Sequence, residues 1–122
     1  MLPEKADAAY LWDMLDAARA IKEFVAGKTL HDYQKSRMLR GAVERHVEII
    51  GEAANRVSTG FQSNHPEIPW RKVINQRNVL AHEYGEIKHE LLWATATVHV
   101  PRLITLLEPL LGGFELGLEA DS

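Results

Sequence analysis

Cysteine is absent from this 122-residue chain. That excludes disulfide staples, zinc ribbons and thiol nucleophiles, and it fits a reducing compartment. Also missing is any run of about 18 apolar residues, so the sequence offers no membrane-spanning helix. The opening stretch, MLPEKADAAYLWDML, carries acids where a secretory leader carries a basic stretch and then an apolar run. The expectation is a cytoplasmic protein with no membrane partner. Positive charge is short as well. The formal net charge is -3 at pH 7, so no global basic field draws in nucleic acid, and any RNA contact must rest on a local patch. Internal repeats, low-complexity tracts and strand-type alternation are lacking too.

What is present is helical periodicity, in a length that suits one domain. Leu11, Met14, Leu15, Ala18, Ile21 and Val25 recur at steps of three and four and predict a helix over Lys5 to Ala26, stopped by Gly27. Leu39, Val43, Val47, Ile50, Ala54 and Val57 predict a second helix over Tyr33 to Ser58, with its glutamates and arginines on another, solvated face. Gly60, Pro66 and Pro69 then mark a structured connection, with Pro69 at the first position of a third helix that ends near His82 to Gly85. The fourth pattern runs from Ile87 to about Leu107, with Leu91, Ala94, Val98, Leu103, Leu106 and Leu107 facing inward and Pro101 bending or splitting the helix. Residues 112–122 are Gly-rich and acidic and read as a flexible tail, leaving 1–111 as the folded unit. The expected fold is all-α, an up-and-down bundle of four to five helices.

One stretch carries chemistry. In RNVLAHEY (77–84) an arginine precedes a histidine by five positions, and a tyrosine follows the histidine by two. Histidine exchanges protons near neutral pH, and arginine forks onto phosphate oxygens at any pH. Together Arg77 and His82 suit metal-free cleavage of an RNA phosphodiester. His82 would move the proton of the 2′-OH or of the leaving oxygen, and Arg77 would stabilise charge building on the phosphorus oxygens. That route gives a 2′,3′-cyclic phosphate and leaves DNA untouched. Tyr84 would orient the phosphate or stack on a base, and Asn78 would hold the tautomer of His82. Five helical residues rotate by about 140°, so the two groups converge only if His82 lies at or beyond the helix end, or if two copies meet across a dimer axis. The plainer reading of the same residues is a helix C-terminus with a cation near the negative end of its dipole.

The wider text narrows this. RNVLAHEY fits the Arg-x4-His-x-Tyr signature of HEPN-domain proteins. AVERHVEIIGEAANRVS (42–58), followed by HPEIPWRKVINQRNVLAHEYGEI (65–87), resembles the HepT-like toxin family in order and spacing. The likeness extends from the first helix to about Leu107. The resemblance implies a HEPN-like bundle that forms a homodimer, with paired motifs bordering a shared cleft. It implies a metal-independent endoribonuclease, the toxin of a type VII-like toxin–antitoxin pair, with Arg77 and His82 catalytic. It also implies a cognate MNT-type nucleotidyltransferase as antitoxin, which neutralises the toxin by adding AMP to Tyr84. A non-catalytic helical dimer that only binds such a nucleotidyltransferase is the alternative.

The remaining features are quieter. His82, Glu83, Glu86 and His89 are close in sequence, but no His-Glu-x-x-His pattern exists and Gly85 interrupts the face, so neither a metal nor a cofactor is expected. Arg71 and Lys72, beside Arg77, form a basic cluster able to hold RNA backbone. Lys35, Arg37 and Arg40 read as solvated charge. His46 reads as a partly buried or interface residue and His99 as packed on the fourth helix. Trp12, Trp70 and Trp93 read as packing anchors.

Overall fold

The structure, a computed structural model, describes the backbone of residues 4–82 and 89–121 and the side chains of residues 4–76 and 89–112. The described residues hold helices and no strand, and they build the all-α bundle expected. Four long helical stretches carry it: α1 (Lys5–Val25), α3 (Arg37–Arg56), α5 (Trp70–His82), and the continuous run of α6 (His89–Ala94), a π-helical segment (Thr95–His99) and α7 (Val100–Asp121). Two short helices, α2 (Leu30–Lys35) and α4 (Thr59–Asn64), lie in the connections.

α1 is the centre of the bundle, packed on α3 along one flank and on α7 along another. All six residues of its predicted stripe are buried. It stops at Gly27, whose φ of 72° is the left-handed value that glycine adopts without a Cβ clash. Asp7, also buried, accepts hydrogen bonds from the Ser58 backbone N–H at 2.8 Å and the Ser58 hydroxyl at 2.7 Å. Because Ser58 is the N-cap of α4, this carboxylate ties the start of α4 to α1.

Three sequence expectations are corrected here. The second predicted helix is two. Thr29 accepts from the Asp32 N–H at 3.1 Å while Asp32 accepts from the Thr29 N–H at 2.9 Å, a capping box that starts α2 three residues before Tyr33. Ser36 then caps α3 by accepting from the Leu39 N–H at 3.1 Å. Pro69 precedes α5 rather than opening it, and its carbonyl accepts the first helical bond, from Val73 N–H at 3.0 Å. The third correction concerns the last long helix. Leu91 and Val98, expected inside, are 60% and 43% exposed, and the buried face is Leu92, Thr95, Ala96, Val100, Leu103, Ile104, Leu107 and Leu111.

Pro101 does not split that helix. A proline inside a helix lacks an N–H and crowds the carbonyl four residues back. Here the turn before it is π-helical, with the Val100 N–H bonded to the Thr95 carbonyl five residues back. The hydroxyls of Thr95, Thr97 and Thr105 each donate to a carbonyl four residues earlier, on Leu91, Trp93 and Pro101. Helical backbone continues to Asp121, past Leu111, where the tail was expected to begin.

Tyr33 yields a pH prediction. Its side chain is fully buried, lies edge-on to His89 and tilted on Trp93, and its hydroxyl has no hydrogen-bond partner among the described residues. Burial, with Glu44 adding and Arg40 opposing, pushes the hydroxyl up to about 12. An unfolded tyrosine ionises near 10. The stabilising contribution is therefore complete below pH 10 and is lost as pH rises through 12. Thermal melts are expected to show a loss of about 2–3 kcal/mol across that window. Tyr33→Phe is expected to remove the alkaline step and leave stability at pH 7 unchanged or higher.

Candidate functional site

α5 is the element that carries Arg77, Asn78 and His82, and its first half is held at both ends. At the start, Ile68 and Trp70 are buried in the core, and the Trp70 indole N–H donates to the His65 carbonyl at 2.9 Å. Phe61 stacks on His65 with ring centroids 4.3 Å apart and meets Trp70 edge-on at 6.3 Å. His65 in turn contacts Glu67 at 3.0 Å through Nδ1. The HPEIPW segment is therefore a folded platform, and Trp70 is the packing anchor expected of it.

One turn and a half further on, Gln76 Nε2 donates to Thr95 Oγ1 at 2.7 Å, and Thr95 Oγ1 donates to the Leu91 carbonyl at 3.0 Å. Thr95 is buried. This relay pins the residue immediately before Arg77 to the π-helical turn of the neighbouring helix. Sequence reasoning missed it. Gln76 and Thr95 belong to no apolar stripe, and their only signal was the adjacency of Gln76 to the motif.

Arg77, Asn78 and His82 all lie on α5, whose described range closes with His82. The helix is unbroken between 77 and 82, so these backbone positions are rotated about 140° from each other and lie about 7.5 Å apart along the axis. Their side chains, and the whole of Tyr84, Glu83 and Glu86, lie outside the described residues. Arg71 and Lys72 are exposed on the first half of the same helix, beside a broad shallow depression that also includes Pro66, Trp70 and Asn75.

A second depression is deeper. A cavity of about 300 Å³ opens between α3, α5 and α7. Val47, Ile50, Val73 and Leu103 line it with apolar surface, and Lys72, Gln76, His99 and Arg102 bring polar atoms to it. Burial, then Lys72, then Arg102, hold His99 below the usual histidine range. His99 is thus a half-buried residue packed between helices, as expected, but it also faces a cavity. His46 is half-buried, with Nδ1 2.8 Å from the Ala42 carbonyl and its ring edge-on to Phe24. Lys35 and Arg37 are exposed, while Arg40 is half-buried and donates to the Gln34 carbonyl. Among the described residues no three of His, Asp or Glu gather closely enough to hold a metal ion, and no helix is long and apolar enough to cross a membrane.

Comparison with known proteins gives consistent matches. The family model described as "Ribonuclease HepT-like" matches residues 14–110. A Methanocaldococcus jannaschii protein named "Putative RNase MJ1380" is 35% identical over 95 residues, covering 78% of this chain and 87% of its own. A Thermococcus cleftensis protein named "Probable ribonuclease HepT" is 36% identical over 94 residues, covering 77% of this chain and 86% of its own. No solved structure matches the chain.

Proposed function

Since the chain belongs to the HepT-like ribonuclease family, we propose that it is a metal-independent endoribonuclease, the toxin of a toxin–antitoxin pair. The observation that carries this reading is the intact Arg77-x4-His82-x-Tyr84 signature, in a chain that matches the family over residues 14–110, with Arg77 and His82 on a helix anchored through Trp70 and Gln76. Arg77 clamps the scissile phosphate and stabilises the charge that builds on its free oxygens. His82 moves the proton of the 2′-OH or of the leaving oxygen. The 2′-oxygen attacks phosphorus, the bond to the 5′-oxygen breaks, and a 2′,3′-cyclic phosphate remains. Asn78 and Tyr84 position His82 and the phosphate. Arg71 and Lys72, exposed on the approach to Arg77, hold flanking backbone.

The rotation of about 140° between positions 77 and 82 favours a site completed by a second copy. The exposed Leu91 and Val98, with the half-buried Ala94 between them, supply a surface for it, since large apolar groups in one row on a helix mark contact sites. In this reading the protein is a homodimer joined through α6 and the π-helical segment, with two motifs bordering one cleft. Leu91→Asp with Val98→Asp is expected to shift the protein from dimer to monomer in light scattering and to lower RNA cleavage at least about tenfold, because an interface carboxylate would be buried unpaired. A double variant that stays dimeric removes this face from the account.

The antitoxin in this reading is an MNT-type nucleotidyltransferase that attaches AMP to Tyr84. The modification places a negative phosphate and a bulky nucleoside where the RNA phosphate must sit beside Arg77 and His82. Expression of the chain alone is expected to arrest growth of a bacterial host. Co-expression with such a nucleotidyltransferase should restore growth and add AMP to the Tyr84 peptide. Unimpaired growth with unmodified Tyr84 would instead favour a non-catalytic binding partner.

A further inference from the structure

The cavity between α3, α5 and α7 is not used by the cleavage chemistry. Its composition is that of a ligand site, with an apolar floor and a small number of converging polar groups. The floor is Val47, Ile50, Val73 and Leu103. The rim brings Lys72 from α5, and His99 and Arg102 from the π turn and α7, to one opening. Lys72 and Arg102 are exposed at that rim, and among the described residues neither forms an ion pair. Three basic side chains facing one another across a mouth raise the free energy of each, and an anion seated among them relieves it. Burial first, and then Lys72 and Arg102, disfavour the protonated form of His99, in keeping with two cations gathered at this mouth. Among the described residues Glu67 is the one carboxylate on the lining, and it is engaged by His65 at 3.0 Å.

We propose that this cavity binds a nucleotide, with the phosphate held by Lys72 and Arg102 beside His99 and the base lying on the apolar floor. Arginine and lysine are the side chains suited to phosphate oxygens, and a flat base covers aliphatic surface that is otherwise open to water. The volume of about 300 Å³ suits one nucleotide and not a folded segment. Gln76 also lines the cavity, with Nε2 fixed on Thr95, so its carbonyl oxygen is held in a set orientation able to accept from an exocyclic amine. The site includes neither Arg77 nor His82, and it shares Lys72 with the RNA path of the proposed function. Its phosphate comes from a free mononucleotide or from one unit of an RNA strand lying along α5.

Binding, not cleavage, tests it. The purified full chain is titrated with AMP, and separately with a 2′-O-methyl tetranucleotide that cannot form a cyclic phosphate. The same titrations are run on Lys72→Gln with Arg102→Gln, whose fold is checked by circular dichroism and a melt. Amide shifts on AMP or tetranucleotide addition should cluster at Lys72, Gln76, His99 and Arg102 in the wild type, a readout independent of the variant. Saturable AMP binding that weakens at least about tenfold in the folded double variant supports the site with a free nucleotide as the source. The same loss for the tetranucleotide alone supports it with an RNA strand as the source when Arg102→Gln by itself reproduces the loss and the shifts include Gln76 and His99; a loss that Arg102→Gln does not reproduce overturns it. No saturable binding of either probe, equal affinity in wild type and variant, or shifts that cluster elsewhere overturns it.

Discussion

His82→Ala is expected to lower RNA cleavage by a factor on the order of 10²–10⁴, the range for loss of a positioned proton-transfer group. Arg77→Ala is expected to lower it by about 10²–10³, as when one stabiliser of transition-state charge is removed. The two together should fall well short of the product of the single losses, because groups that act on one transition state are not additive. Arg77→Lys is the sharper probe. It keeps the charge and loses the planar fork, so it should recover only part of the activity. None of these changes should move the melting temperature by more than a few degrees. The helix that carries them is held from Trp70 and Gln76, whose indole and amide bonds stay intact. Single-turnover cleavage rates with matched melts check the prediction. A His82→Ala variant with wild-type rate removes the motif from the chemistry.

The largest effect on folding is expected at Leu11. It is completely buried on α1, the helix that packs against both α3 and α7. Leu→Ala at such a position removes the transfer free energy of the side chain and leaves a cavity that neighbours fill only in part, a cost of about 3–5 kcal/mol. Tightly packed neighbours on two sides limit collapse, so the upper part of that range is expected. Stability of small domains totals about 5–15 kcal/mol. Leu11→Ala should therefore lower the urea midpoint sharply. Met38→Ala is the control, because Met38 is 84% exposed and its truncation should be nearly silent.

Periodicity recovered the long helices because it records which face meets the core. Six of six stripe residues on α1 are buried, and on α3 the stripe is correct from Val43 onward. It failed where two stripes share a helix. Leu91, Ala94 and Val98 form one apolar row, and Leu92, Ala96 and Val100 form another on nearly the opposite side, about 170° away by α-helical geometry. Spacing alone does not say which row faces inward, and the π turn before Pro101 shifts the register further. The break at Ser36 was legible in hindsight, since Thr29, Asp32 and Ser36 are ordinary capping residues, but the apolar pattern runs through it. The candidate motif was legible because its chemistry sits within eight residues of chain. Gln76 with Thr95, and the rim of Lys72, His99 and Arg102, were not, because tertiary packing brings together residues 19 or more positions apart.

The most direct test is to incubate the purified chain, expressed without any partner, with total tRNA and messenger RNA in EDTA, beside His82→Ala. Intact mass of the same sample reports whether Tyr84 is bare. The account predicts cleavage by the wild type alone, insensitive to EDTA, with 2′,3′-cyclic phosphate ends. Intact RNA after incubation with protein whose Tyr84 carries no AMP, or cutting that stops in EDTA, would contradict it.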